Sequence, residues 1–261
     1  MLFSRRRRFR GTLFATTREQ HERLTVAVTR MHGPAVAGPA FVLVHGIGVS
    51  SRYFRPLAIE LAKHGSVFLV DLPGYGAAPD PRTEVTLAGH ADAVASFVRS
   101  IAASEVVLVG HSMGAQVAVT LAQRHPGLIE RLVLVGPTME PGRRTAFQAI
   151  GRLLLDGTRE PPSVTGIVFT DYVFRAGPPY TIRQLPLVLD DALDERIAAV
   201  DIPMLVVRGT RDPIVSSPWA RLLADRGAGA LIEVPGPHVV MYTAPDAVAD
   251  AILLHGVGGR A

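Results

Sequence analysis

Short, unbroken apolar runs recur along this chain: FVLV at residues 41–44, VFLV at 67–70, VVLV at 106–109, LVLV at 132–135 and MLVV at 204–207. A strand with one wet face alternates apolar and polar side chains, so runs that do not alternate read as strands covered on both faces. Such strands belong to parallel sheets, whose neighbours are joined by crossovers long enough to hold a helix. The intervals supply those helices. Phe54, Leu57 and Leu61 recur at helical spacing, as do Ala91, Val94, Ala95, Val98, Ile101 and Ala102. Residues 24–29 alternate like a half-exposed strand, and residues 231–234 add a last one after a helical stretch around Trp219. The expected fold class is α/β, a mostly parallel central β-sheet with helices on both faces.

The rhythm fails between Pro137 and Val200, where Pro141, Pro161, Pro162, Pro178, Pro179 and Pro186 accompany Phe147, Phe169, Tyr172, Phe174 and Tyr180 without a buried strand. An ordinary crossover does not need that length, so the segment reads as a helical insertion, with residues 146–155 as one helical piece. A length of 261 residues suits one domain carrying it. The expected layout is a basic tail and lead-in over residues 1–23, core over 24–137, a helical cap over 138–200, and core again over 201–261.

The formal net charge is +4, and Arg5, Arg6, Arg7, Arg8 and Arg10 crowd the start of the chain. Such a run can touch anionic lipid weakly, but its plainer reading is a solvated, mobile tail. Nucleic acid is not an expected partner. No apolar segment of signal-peptide or membrane-spanning length is evident, which reads as a soluble, cytoplasmic protein. The absence of cysteine excludes thiolate metal sites and a cysteine nucleophile.

In VLVGHSMGA a strand ends at Gly110 and a helix begins after Ser112, so the chain turns within a few residues with the serine at the apex. Gly110 and Gly114 give room for that turn, and the helix aims its N-terminal N–H groups at the same place. The competing reading is a serine that merely caps the helix. A nucleophilic serine needs a base oriented by a carboxylate. His238, after the last strand in a Gly/Pro loop, is the best-placed base; His45 and His111 compete, although His45 suits tying down a loop and His111 should point away from its neighbour's hydroxyl. The other histidines, His21, His32, His64, His90, His125 and His255, read as solvated. Asp212 follows a strand and lies between serine and histidine in the chain, with Glu140 as the weaker alternative; Asp71 reads as a brace for its turn. For a developing oxyanion the candidate donors are the backbone N–H groups of Met113 and of Ile47, the latter in a loop where Gly46 and Gly48 let the amide turn inward.

The motifs HGIG at 45–48, DLPGYG at 71–76, GHSMG at 110–114, GTRDPIV at 209–215 and GPH at 236–238 together resemble the α/β-hydrolase fold family, in order and spacing, from about Leu24 onwards. The resemblance implies Ser112 as nucleophile, Asp212 as acid, His238 as base, Ile47 and Met113 as oxyanion hole, and the insertion as a cap, with no metal or organic cofactor. The sequence departs from the family at Ala77-Ala78-Pro79, where a serine commonly follows PGYG, and at Val239, where the ring-fission hydrolases have tryptophan. The implied activity is a serine esterase of lipase-like type acting on a small, mainly apolar ester. A thioesterase, lactonase or carbon–carbon hydrolase would use the same three residues, and a ligand receptor would keep the fold without turnover.

Overall fold

The computed structural model describes residues 4–32, 37–141 and 162–256. Nine strands form one sheet: β1 (Ser4–Phe9), β2 (Thr12–His21), β3 (Leu24–His32), β4 (Ala40–Val44), β5 (Ser66–Asp71), β6 (Val106–His111), β7 (Arg131–Val135), β8 (Met204–Gly209) and β9 (Ala230–Val234), in the order β1-β2-β3-β5-β4-β6-β7-β8-β9. From β5 to β9 every pairing is parallel, whereas β1, β2 and β3 join antiparallel. Crossovers carry α1 (Arg55–Leu61), α2 (Leu87–Arg99), α3 (Met113–Arg124) and, after β8, α7 (Ser217–Arg226).

Each unbroken apolar run divides between two cores, as a doubly covered strand must. Val42 and Val44 of β4, Leu108 of β6 and Leu132 and Leu134 of β7 face Ala91, Val94, Val117, Trp219 and Leu223, which come from α2, α3 and α7. The alternate positions Phe41, Leu43, Val107, Val109, Val133 and Val135 face Leu57 and Leu61 of α1 and Val248 and Ile252 of the last helix. Each fully buried aliphatic side chain contributes about 2 kcal/mol by area, so register is fixed at every strand. A one-residue slip would exchange the two cores.

The first 23 residues differ from the expected tail. Arg5, Arg6, Arg7 and Arg8 lie in β1, an edge strand paired with β2 from Ser4↔Thr17 to Phe9↔Thr12. Arg10 (φ 45°) and Gly11 (φ 79°) form the two-residue turn between them, the geometry that matches the twist of a hairpin. A strand of exposed arginines also makes a poor template for another chain's edge.

Between β7 and β8 the described residues hold α4 (Pro162–Asp171), a π-helical turn (Tyr172–Ala176), α5 (Pro178–Leu189) and α6 (Leu193–Arg196). The expected helical piece at 146–155, with Phe147, lies outside the described residues, as does Pro161. The insertion is fastened to the loops at the carboxyl edge of the sheet. Ser50 donates to the Asp171 carboxylate from its N–H (3.1 Å) and its hydroxyl (2.5 Å). The Tyr180 hydroxyl donates to the Pro73 carbonyl at 2.8 Å, and Gln116 Nε2 on α3 donates to the Val188 carbonyl at 3.0 Å.

His90 departs from the solvated histidine expected. It is fully buried between α2 and α5, with Nε2 2.9 Å from Gln184 Oε1. Burial is the main cause that lowers its pKa to about 4, so it is neutral near pH 7. The helix pattern placed Ala91 and Val94 on the core face but gave no sign that the residue before them meets the insertion.

Candidate active site

Ser112 stands at the end of β6 with φ 56° and ψ −119°, a conformation few non-glycine residues occupy. Its side chain makes no capping hydrogen bond to α3. The strain, about 1–3 kcal/mol for such a residue, is held by packing on both sides. A Cβ on Gly114 would lie 2.2 Å from the Val44 carbonyl oxygen, and one on Gly110 would lie 2.3 Å from that of Gly114. The turn of GHSMG is therefore pressed against the end of β4. The Ser112 N–H donates to the Val135 carbonyl at 3.0 Å, tying the apex to β7.

One residue beyond Val135, at Gly136, the ends of β7, β8 and β9 converge. A Cβ on Gly136 would lie 2.9 Å from His238 Cε1 and 3.6 Å from Asp212 Oδ2. His238 Nδ1 lies 2.7 Å from Asp212 Oδ2, and both side chains are almost wholly buried. An ionised carboxylate only accepts, so Nδ1 carries the proton and Nε2 is left as the basic nitrogen. Asp212 Oδ1 is fixed in turn by the N–H groups of Ile214 (2.8 Å) and Val215 (3.0 Å). The two amides that follow the GTRDP loop thus orient this one carboxylate.

His45 and His111, the rival bases, are both engaged elsewhere. His45 accepts from the Leu72 N–H at Nε2 (3.0 Å) and bonds the Gly46 carbonyl through Nδ1 (2.7 Å), joining the loop after β4 to the end of β5. His111 turns away from Ser112: its Nδ1 is 2.8 Å from the Tyr53 hydroxyl and its Nε2 is 3.3 Å from the His238 carbonyl. Burial lowers the pKa of both, and the nearby His238 adds to the effect on His111.

Tyr53 was not legible as a site residue. Its hydroxyl accepts from the Gly46 N–H at 2.8 Å and meets His111 Nδ1 at 2.8 Å. The assignment that satisfies both has the hydroxyl donating to Nδ1 and His111 Nε2–H donating to the His238 carbonyl. One network then runs from the HGIG loop to the loop of His238. Asp71 does brace its surroundings: Oδ1 accepts from the Ser51 N–H (2.8 Å) and hydroxyl (2.6 Å), and Oδ2 from the Ala77 N–H (2.8 Å).

Of the two expected oxyanion donors, Met113 is the first residue of α3, where a helix has no internal acceptor for the N–H. Ile47 is half-buried between Gly46, whose added Cβ would lie 3.0 Å from Ser112 Cβ, and Gly48 (φ 73°). The HGIG loop therefore abuts the serine at Gly46, one residue before Ile47, and Met113 follows the serine in the chain. Among the described residues no cluster of three or more His, Asp or Glu is arranged to hold a metal ion.

A parallel sheet with helices on both faces, a strained serine between β6 and α3, and a His–Asp pair on the loops after β9 and β8 define a hydrolase-type α/β architecture. Residues 41–251 match the model of the alpha/beta hydrolase family, and the chain belongs to that family of enzymes. It is 35% identical over 115 residues to 2-(acetamidomethylene)succinate hydrolase of Mesorhizobium japonicum, a match covering 43% of this chain and 41% of that protein. The chain thus spans under half the length of that relative. A longer match, 28% identical over 244 residues and covering 84% of this chain and 90% of the other, is to the pimeloyl-[acyl-carrier protein] methyl ester esterase of Chromobacterium violaceum. Among solved structures, a hydrolase from Pseudomonas aeruginosa superposes with a TM-score of 0.79 at 20% identity, covering 93% of this chain and 98% of that one. At that identity the likeness is one of fold.

Proposed function

We propose that the protein is a serine hydrolase that cleaves a small, mainly apolar carboxylic ester through an acyl-enzyme. Ser112 Oγ attacks the carbonyl carbon while His238 Nε2 takes its proton. The oxyanion that forms is met by the N–H groups of Ile47 and Met113. Collapse of the tetrahedral intermediate expels the alcohol, which receives the proton from His238. Water, deprotonated by the same nitrogen, then attacks the acyl group, and release of the acid restores Ser112. Asp212 holds the imidazole in the required tautomer and stabilises its charged form.

The observation that carries this reading is the backbone of Ser112: a strained conformation that caps nothing is explained by use, since a serine serving the helix would adopt extended backbone and bond the N2 or N3 amide. An ester, in preference to a thioester, lactone or carbon–carbon bond, is supported by the relative that matches most of the chain and carries a methyl ester in its name. The aromatic and aliphatic side chains of the insertion support an apolar acyl or alcohol group. The test is hydrolysis of chromogenic acyl esters of graded chain length. Wild type should turn over at least one of them, and Ser112→Ala should lose roughly 10⁶ in turnover while keeping the native circular dichroism. A folded Ser112→Ala that keeps most of its activity overturns the assignment.

A further inference from the structure

The arginine-rich start of the chain does not present one patch. Side chains of a strand alternate between faces, so Arg6 and Arg8 leave β1 on one side and Arg5 and Arg7 on the other. The register puts Arg5 opposite Thr16 and Arg7 opposite Phe14, and Phe14 belongs to the core that packs α1. On that side a cleft opens whose lining brings together Arg5 and Arg7 of β1, Arg52 in the 3-10 turn that leads into α1, Arg55 at the start of α1, and Arg175 from the insertion, with Asp71 as the lining carboxylate. Three elements distant in sequence converge to place five guanidiniums on one cleft.

The acidic groups at hand are already engaged. Asp71 is taken up by Ser51 and Ala77. Asp171 contacts Arg52 at 2.6 Å and Arg175 at 3.8 Å while accepting two hydrogen bonds from Ser50. Arg52 Nη2 also donates to Thr170 Oγ1 at 2.7 Å, while its Nε is buried without a hydrogen-bond partner. The Arg55 guanidinium lies 5.4 Å from the Phe14 ring centroid and 5.9 Å from that of Phe9; no carboxylate pairs with it among the described residues. Burial, then repulsion from Arg52 and Arg175, lowers its pKa. Like charges gathered in a partly buried cleft raise the energy of the empty protein, because the low local dielectric weakens screening. An edge strand that needs only to repel neighbours could meet that need with outward-facing charges.

We propose that this cleft is a binding site for a phosphate-class oxyanion. Guanidinium forks match tetrahedral oxyanions through paired N–H···O bonds, and arginine suits this better than lysine in a partly desolvated site. The cleft itself holds about 20 Å³, room only for a water-sized group, so the oxyanion sits at its mouth, where Arg5 and Arg7 are exposed. The same chemistry is offered by free phosphate and by the phosphomonoester headgroup of a lipid. The site is independent of the chemistry proposed for Ser112, and its test needs no turnover.

Inorganic phosphate titrated into the full chain by calorimetry, at ionic strength held constant with sodium chloride, should bind saturably at one site. Arg7→Gln and Arg55→Gln should each weaken it by roughly tenfold or more, the loss of a charge-assisted contact, while Arg6→Gln and Arg8→Gln, on the other face of β1, leave it within about twofold. Arg7 is exposed, so its variant tests the site even if Arg55→Gln fails to fold. Phosphatidylcholine vesicles containing phosphatidic acid distinguish the sources. Sedimentation with those vesicles that phosphate displaces and Arg7→Gln abolishes identifies a headgroup site; phosphate binding without sedimentation identifies a free-anion site. Absence of saturable phosphate binding, or equal weakening by Arg6→Gln and Arg7→Gln, overturns the proposal.

Discussion

Tyr53 shows how much one hydroxyl can hold. It joins the Gly46 amide, which precedes the candidate oxyanion donor Ile47, to His111, which reaches the His238 carbonyl. Tyr53→Phe leaves a buried N–H and a buried imidazole nitrogen without that partner. Unfolding in urea should show a loss of about 2 kcal/mol, in the range for abandoned buried polar groups. On the proposed mechanism, turnover should fall further than substrate affinity, because the displaced loop carries the Ile47 amide assigned to the oxyanion. At the proposed acid, Asp212→Asn should cost roughly 10⁴ in turnover, less than removal of the serine, since the imidazole persists in the wrong tautomer. A steady-state assay on the best ester checks it, and a drop of under tenfold would assign the orienting role to another carboxylate.

At the scale of elements, the contact between α3 and β4 admits no side chain at Gly114, where a Cβ would stand 2.2 Å from the Val44 carbonyl. Gly114→Ala should destabilise by about 3 kcal/mol or more, the upper end of overpacking costs, measurable as a lowered urea midpoint. The contact between α2 and α5 makes a prediction in pH. His90 is neutral when folded, with its pKa lowered from 6.5 to about 4, so between those values the unfolded chain binds more protons. Stability is complete above about pH 6.5 and declines as the pH falls toward 4. His45 and His111, lowered in the same direction by burial, act in the same sense. Urea midpoints at pH 7 and 5 should differ less in His90→Asn than in wild type, and equal differences would contradict the assignment. These elements were unequally legible in the sequence. Runs such as residues 106–109 announce their strands because burial on both faces removes all polar residues, and GHSMG announces its turn because a strand, two glycines and a helix leave few other geometries. The β1–β2 hairpin was obscured by its arginines, although Arg10-Gly11 between two strand-length segments is a hairpin signal. Tyr53 and His90 carried no local signal, since their partners are set by the tertiary fold.

In the whole molecule, the sheet edge and the insertion have separable tasks. The parallel strands hold Ser112, Asp212, His238 and the HGIG loop in fixed relation through backbone hydrogen bonds. The insertion touches that frame through discrete contacts, Asp171 to Ser50, Gln184 to His90 and Tyr180 to Pro73. On the proposed mechanism, replacing residues 137–200 with the matching segment of another family member should change which esters are preferred while leaving the nucleophile reactive, the insertion being assigned ground-state binding and the sheet edge the transition state. An unchanged ranking across the ester panel would show that the insertion does not form the substrate pocket. Covalent trapping probes whether Ser112 is a nucleophile activated by His238. Wild type treated with a fluorophosphonate should gain one adduct by intact mass, located at Ser112 by peptide mapping, with His238→Ala reacting far more slowly. An adduct on another residue, or undiminished labelling of Ser112 in His238→Ala, would contradict it.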